Sequence, residues 1–329
     1  MYVRKALATF LAFAATSTVQ LHAQSLSTSH QNPTTANASS GRWTKGADAP
    51  EKRSEVTVAV LNGTAYVVGD YNGATDLLIY DLAANAWHKG APFPYKVHHA
   101  MSAAHGGRIY VFGGYVDGWE ASDKVWSYSP DKQRWTELAS MPHARAAGGA
   151  AMADDKIYLV GGSETGRTNI APLDVYDPTK NSWSSAAPLP VTRDHLVVAT
   201  VKGKIVAAGG RVNGSPASAV NTNEVYDPRT NLWQEAAPLP QPRSGQAFGV
   251  IGSDLFTFGG EGTTRAVDDS FIFDASKNRW QTATPMPTPR HGFGAAGLSV
   301  ILCSRHIFVP RRTYASQTES HAGRVAGDS

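Results

Sequence analysis

Five arginines, Arg53, Arg145, Arg193, Arg243 and Arg290, each stand three residues after a proline, and Val97 takes the same place once. A planar guanidinium fork suits two tasks, gripping a carboxylate and tying together clusters of backbone carbonyls. Four histidines, His98, His99, His195 and His291, fall at the starts of the segments that follow. Imidazoles serve as general bases or metal ligands. The chain has no Gly-x-Ser-x-Gly elbow, phosphate loop or His-Glu-x-x-His helix. Its one thiol, Cys303, rules out an intramolecular disulfide. Asp-Pro and Asp-Lys steps recur at matching places and read as turns before they read as acid–base pairs.

The elements that must position these residues are repeats. Trp43, Trp87, Trp135, Trp183, Trp233 and Trp280 are spaced by 44, 48, 48, 50 and 47 residues, a period that points to a propeller or solenoid. From the second onward each is preceded by an apolar run ending in a Gly pair, as in Ile109 to Gly114, Ile157 to Gly162, Ile205 to Gly210 and Leu255 to Gly260; in the first copy the pair is Gly69-Asp70. Between pair and Trp lies a Tyr-Asp-like step: Tyr80-Asp81, Tyr128-Ser129, Tyr176-Asp177, Tyr226-Asp227 and Phe273-Asp274. Each repeat therefore holds four short β-rich runs separated by Gly, Pro, Asp and Asn, the pattern of an antiparallel meander. One such sheet cannot bury both faces, so the sheets must stack, and closing the stack into a ring removes its exposed ends.

This set of markers resembles the kelch repeat over about 250 residues. The resemblance implies an all-β fold, a kelch-type propeller of four-stranded blades around a channel. With strands lettered a (after the Arg), b (ending in Gly-Gly), c (Tyr-Asp) and d (Trp), the sequence gives five complete blades. An orphan d strand at Trp43 and an orphan a strand at Arg290 to Leu298 supply an incomplete sixth made from both chain ends. After Leu298 neither a Gly pair nor a Tyr-Asp step appears, and His306 to Val309 could imitate strand b only from five residues too far along. The expected organisation is a signal peptide over 1–23, a disordered linker over 24–41, the propeller over 42–298 and an aberrant tail over 299–329, read as the product of a frameshift or truncation. The N-terminal pattern of Arg4 and Lys5, an apolar Ala6–Ala15 and a small-residue site after Ala23 predicts export to the periplasm or the exterior; the apolar run is too short to span a bilayer.

Alternating strand direction puts the b–c and d–a connections on one face. The uneven b–c loops there carry Tyr71, Tyr115, Trp119, Glu164, Arg167, Arg211, Glu261 and Arg265, with Trp119 as an exposed aromatic anchor. Because strand a is innermost in kelch propellers, the resemblance places Arg53, Arg145, Arg193, Arg243 and Arg290 around the channel mouth. They would contact carboxylates there, as in relatives that bind acidic peptides, or else tie the blades together. The expected binding set is those five with Trp119, Arg167, His195 and Arg211. The histidines belong to blades two, four and the last strand, across the channel from one another, so neither a metal site nor a cofactor is expected. Copper radical oxidases of this fold need a Tyr–Cys crosslink that Cys303 is not placed to make. Sugar epimerases of the fold use Arg, Glu and His, for which Arg145, Arg193, His195 and Glu164 match in type, but their repeats are more degenerate than these.

The formal charge of +3, with Lys and Arg scattered, implies neither a nucleic-acid nor a membrane partner. The sequence thus reads as an exported monomeric binding module for a protein segment or carbohydrate, anionic groups favoured. The alternatives are a sugar-modifying enzyme and a truncated non-functional remnant.

Overall fold

A computed structural model describes residues 41–297, 301–303 and 306–310. Five blades are contiguous four-stranded antiparallel meanders in the order a-b-c-d. In blade three, for example, these are Gly149–Ala153, Lys156–Val160, Leu173–Asp177 and Ser182–Ala186. The sixth sheet takes Ala295–Gly297, Ile301–Cys303 and His306–Pro310 from one end of the chain and Gly41–Lys45 from the other, in that order. The sequence reading is corrected at two points. The sheet runs past Leu298 to Pro310, and His306–Pro310 lies in the c position, pairing with the Trp43 strand, because the three-residue Ile301–Cys303 fills the b position. The expected signal peptide, the linker up to residue 40 and the tail beyond residue 310 lie outside the described residues.

Burial explains the sequence pattern of each blade. Strand b is central and covered on both faces, so it reads as an unbroken apolar run: Ile157, Tyr158, Leu159 and Val160 are all buried. Strand d is the outer edge, half-exposed and carrying charges such as Lys89, Glu137 and Glu235, which discourage edge-to-edge pairing. The repeating Trp is an inter-blade staple. All six indoles donate to a carbonyl of the preceding blade: Trp43 to Thr284, Trp87 to Ala47, Trp135 to Ala91, Trp183 to Ala139, Trp233 to Ala187 and Trp280 to Ala237, at 2.8–3.1 Å. An Asn in the c–d turn adds a second tie. Asn231, in the left-handed conformation at φ 57°, accepts from the Tyr226 hydroxyl of its own blade and from the Ala187 N–H of the preceding one, both at 2.8 Å.

The innermost strands contact one another all the way round, that of blade six touching both blade five and blade one, so the ring closes. They approach closely enough to demand small residues. A Cβ on Gly149 would stand 2.4 Å from Val198, and one on Gly294 would stand 2.1 Å from Val58. The described residues at the seam between blades six and one form a small cluster. It holds Ala65 and Tyr80 as buried apolar residues, and a cavity of ≈ 740 Å³ opens beside Val58, Trp87 and Phe293.

Candidate functional site

The recurring arginines point into the blades rather than into the channel. Arg145 is fully buried; Nη1 donates to the carbonyls of Leu159 (3.2 Å), Gly161 (3.1 Å) and Pro172 (2.9 Å), and Nη2 donates to the Asp174 carboxylate. Arg193, equally buried, donates to Gly209 O (2.7 Å), Ala207 O (2.8 Å), Val191 O (2.6 Å) and Glu224 Oε2 (2.6 Å). Arg53 bridges Gly69 O, Asp76 O and Glu51, and Arg243 pairs with Asp269. Arg290 is half-buried, donating to the Thr288 hydroxyl. The cause is local. Strand b ends at the Gly pair, where the chain leaves the ladder, and a planar fork satisfies the carbonyls gathered there while reaching strand c. The expectation that Arg53, Arg145, Arg193 and Arg243 line the mouth is therefore corrected: these guanidiniums are scaffold.

What lines the mouth sits two residues further along. Glu55, His99, Ala147, His195, Gly245 and Gly292 occupy one equivalent position in the six blades, and all have left-handed φ, between 52° and 62°. Their backbones join head to tail around the axis. His99 N donates to Glu55 O, Ala147 N to His99 O, His195 N to Ala147 O, Gly245 N to His195 O and Glu55 N to Gly292 O, at 2.6–2.9 Å. Gly is the easy residue for this conformation, and blades five and six use it; a side chain there costs about 1 kcal/mol or more. Blades one, two and four accept that strain and hold Glu55, His99 and His195 at the channel. The histidines expected across the channel are thus brought together: the rings of His99 and His195 lie 4.9 Å apart, and His99 Nε2 is 3.1 Å from Glu55 Oε2.

Each collar side chain is oriented by a neighbour. His195 Nδ1 donates to Asp194 Oδ1 at 2.5 Å, which leaves Nε2 as the acceptor for Arg211 Nη2 at 3.2 Å. Arg211 also holds Asp194 Oδ1 (2.9 Å) and Glu261 Oε2 (2.8 Å). His99 Nδ1 lies 2.6 Å from His98 Nδ1. Burial pushes the His99 imidazole down to about 4, although Glu55 opposes it. Burial also works against ionisation of Glu55, yet the hydrogen bond from His99 and the positive charge of the surrounding imidazoles hold its carboxyl down at about 2. At neutral pH the collar thus presents an ionised carboxylate beside a neutral His99.

Above the collar the d–a segments and b–c loops of blades two to five are knitted by short bridges, His98 to Tyr115, Ala146 to Ser163, Asp194 to Arg211 and Ser244 to Glu261, which fixes both loop sets on one face. In blade two a hairpin of Tyr115–Asp117 and Glu120–Ala121 carries Trp119 at its tip. Trp119 is 46% exposed and Tyr71 is 53% exposed, and the two rings lie 6.3 Å apart, both against His98. Trp119 also reaches His99, ring to ring, at 5.6 Å. Of the residues expected from sequence, the structure joins Trp119, His195 and Arg211 into this mouth and leaves Arg167 exposed on the blade-three loop. Sequence reasoning missed Glu55, Asp194 and the convergence of His99. The available signal was register, since each collar residue lies two places after the Arg or Val of its repeat.

Comparison with known proteins agrees with the repeat pattern. The sequence profile of the KLHDC2/KLHL20/DRC7 Kelch-repeats domain matches residues 21–162, 55–238 and 139–309. The fold is shared with the solved structure of YjhT, at a TM-score of 0.69 and 18% identity, over 80% of this chain and 95% of that one. No curated protein sequence matches the chain. Among the described residues no helix is long and apolar enough to cross a membrane. Kelch propellers include protein-interaction modules and propeller enzymes. With its profile match, its Gly-pair and Trp markers and its ring of four-stranded blades, this chain belongs to the kelch-repeat family of β-propellers.

Proposed function

We propose that this chain is an exported binding module that holds a carbohydrate at the loop-side mouth of its channel. One observation carries the reading: two half-exposed aromatic rings, Trp119 and Tyr71, stand over a floor of Glu55, His99, His195 and Arg211. Aromatic faces accept the C–H faces of a sugar ring, and convergent polar groups fix its hydroxyls. Charge favours a neutral sugar over an acidic one, because the recurring guanidiniums face inward and the mouth sets Glu55, Asp194 and Glu261 against Arg211. Export rests on the charged, apolar and small-residue segments of the N-terminal sequence.

The test is an array of glycans and of peptides, followed by titration of the best binder into wild type and Trp119→Ala. We expect a neutral oligosaccharide to bind, and loss of the indole to weaken it by roughly 10-fold or more, the effect of about 1.4 kcal/mol. A peptide as the sole binder, or a glycan that binds Trp119→Ala equally well, would overturn the reading.

A further inference from the structure

Glu55, His99 and His195 come from blades one, two and four, and one ligand-type atom of each lies within 4.8 Å of the others. With bonds of about 2.0–2.1 Å, tetrahedral ligand atoms stand about 3.3 Å apart. The Glu55–His99 pair already meets that spacing at 3.1 Å. The collar backbone is tied by five hydrogen bonds, so the remaining adjustment falls to the His195 side chain. The surroundings favour a cation: Asp194 and Glu261 lie just behind, against the single guanidinium of Arg211. Asp194 is 1% exposed, and its second oxygen has no hydrogen-bond donor. It also orients His195 in the carboxylate–histidine arrangement that supports metal-binding imidazoles.

We infer that Glu55, His99 and His195 form a binding site for a divalent transition metal of the Zn²⁺ class at the channel mouth. Two imidazoles and a carboxylate are a donor set for such ions, and three protein ligands leave a coordination position free toward the mouth. Binding at His99 Nε2 selects the other neutral tautomer of the ring, with its proton on Nδ1 facing His98 Nδ1, and releases no net proton. It also replaces the Arg211–His195 contact, while Arg211 keeps Asp194 and Glu261. The site stands on the collar alone and requires nothing of what the aromatic rim holds.

The experiment adds Zn²⁺ to chelator-treated, dialysed full-length protein, following heat by calorimetry and, with Co²⁺ as substitute, the visible absorption of a low-symmetry complex. Wild type should take up one equivalent. His99→Gly, His195→Gly and Glu55→Gln should each lose it, and Asp194→Asn should weaken it by roughly 10-fold. Glycine fills the equivalent collar position in blades five and six, so the first two variants retain the backbone; circular dichroism checks this, and near-isosteric Glu55→Gln carries the test if either fails to fold. No equivalent bound by wild type, or uptake unchanged in the variants, overturns the site.

Discussion

Replacing Arg193 by alanine separates the two tasks open to the recurring arginines. The guanidinium is fully buried, and its loss strands the Glu224 carboxylate, itself 3% exposed, 2.6 Å from where its partner stood. It also removes the donors from the carbonyls of Val191, Ala207 and Gly209. Breaking a buried pair from one side costs ~3–5 kcal/mol, and orphaned buried acceptors push toward the upper end. Denaturant unfolding of Arg193→Ala should show that loss. Arg193→Met with Glu224→Leu should recover the part due to the stranded charge, because an apolar pair removes both charges together, while the three carbonyls stay without their donor. A variant that binds ligand poorly yet unfolds within ~0.5 kcal/mol of wild type would refute the scaffold assignment.

Two further outcomes follow from the collar and the blade seams. His99 is charged near pH 6.5 when unfolded but only near 4 when folded, so acid favours the unfolded state across that window; metal-free protein should lose roughly 3 kcal/mol between pH 6.5 and 4. Glu55, ionised down to about 2 when folded, adds a second loss as pH falls from 4.5 toward 2. Denaturant midpoints across this range should show both, and His99→Gly should abolish the first; an unchanged slope would count against the buried neutral imidazole. Asn231→Ala removes two hydrogen bonds, one between blades, and places a Cβ residue without a polar side chain at φ 57°. It should cost ~2 kcal/mol by thermal unfolding, whereas a loss under ~0.5 kcal/mol would dismiss the Asn tie.

The repeat was legible because every blade performs the same packing with the same residues. Each Trp staples its blade to the one before, so its period in sequence is the period of the ring. The roles of the arginines were not legible, since a planar fork fits a ligand carboxylate and a cluster of carbonyls alike; the choice is made by where strand b stops. The collar was hidden for another reason. Sequence period gives each blade its angle around the axis but not the radius at which its residues sit. Backbones joined head to tail bring His99 and His195 into ring contact from two blades apart. In the sixth sheet a three-residue b strand without a Gly pair leaves no marker, so the sheet is identified by pairing alone.

Hydrogen–deuterium exchange with and without the oligosaccharide selected on the array tests most directly that the loop-side mouth is the binding site. Bound sugar should protect the b–c loops at 71–76 and 115–123 and the collar segments around His99 and His195. Protection confined to the opposite turns, at 106–107, 154–155 and 202–203, would contradict it.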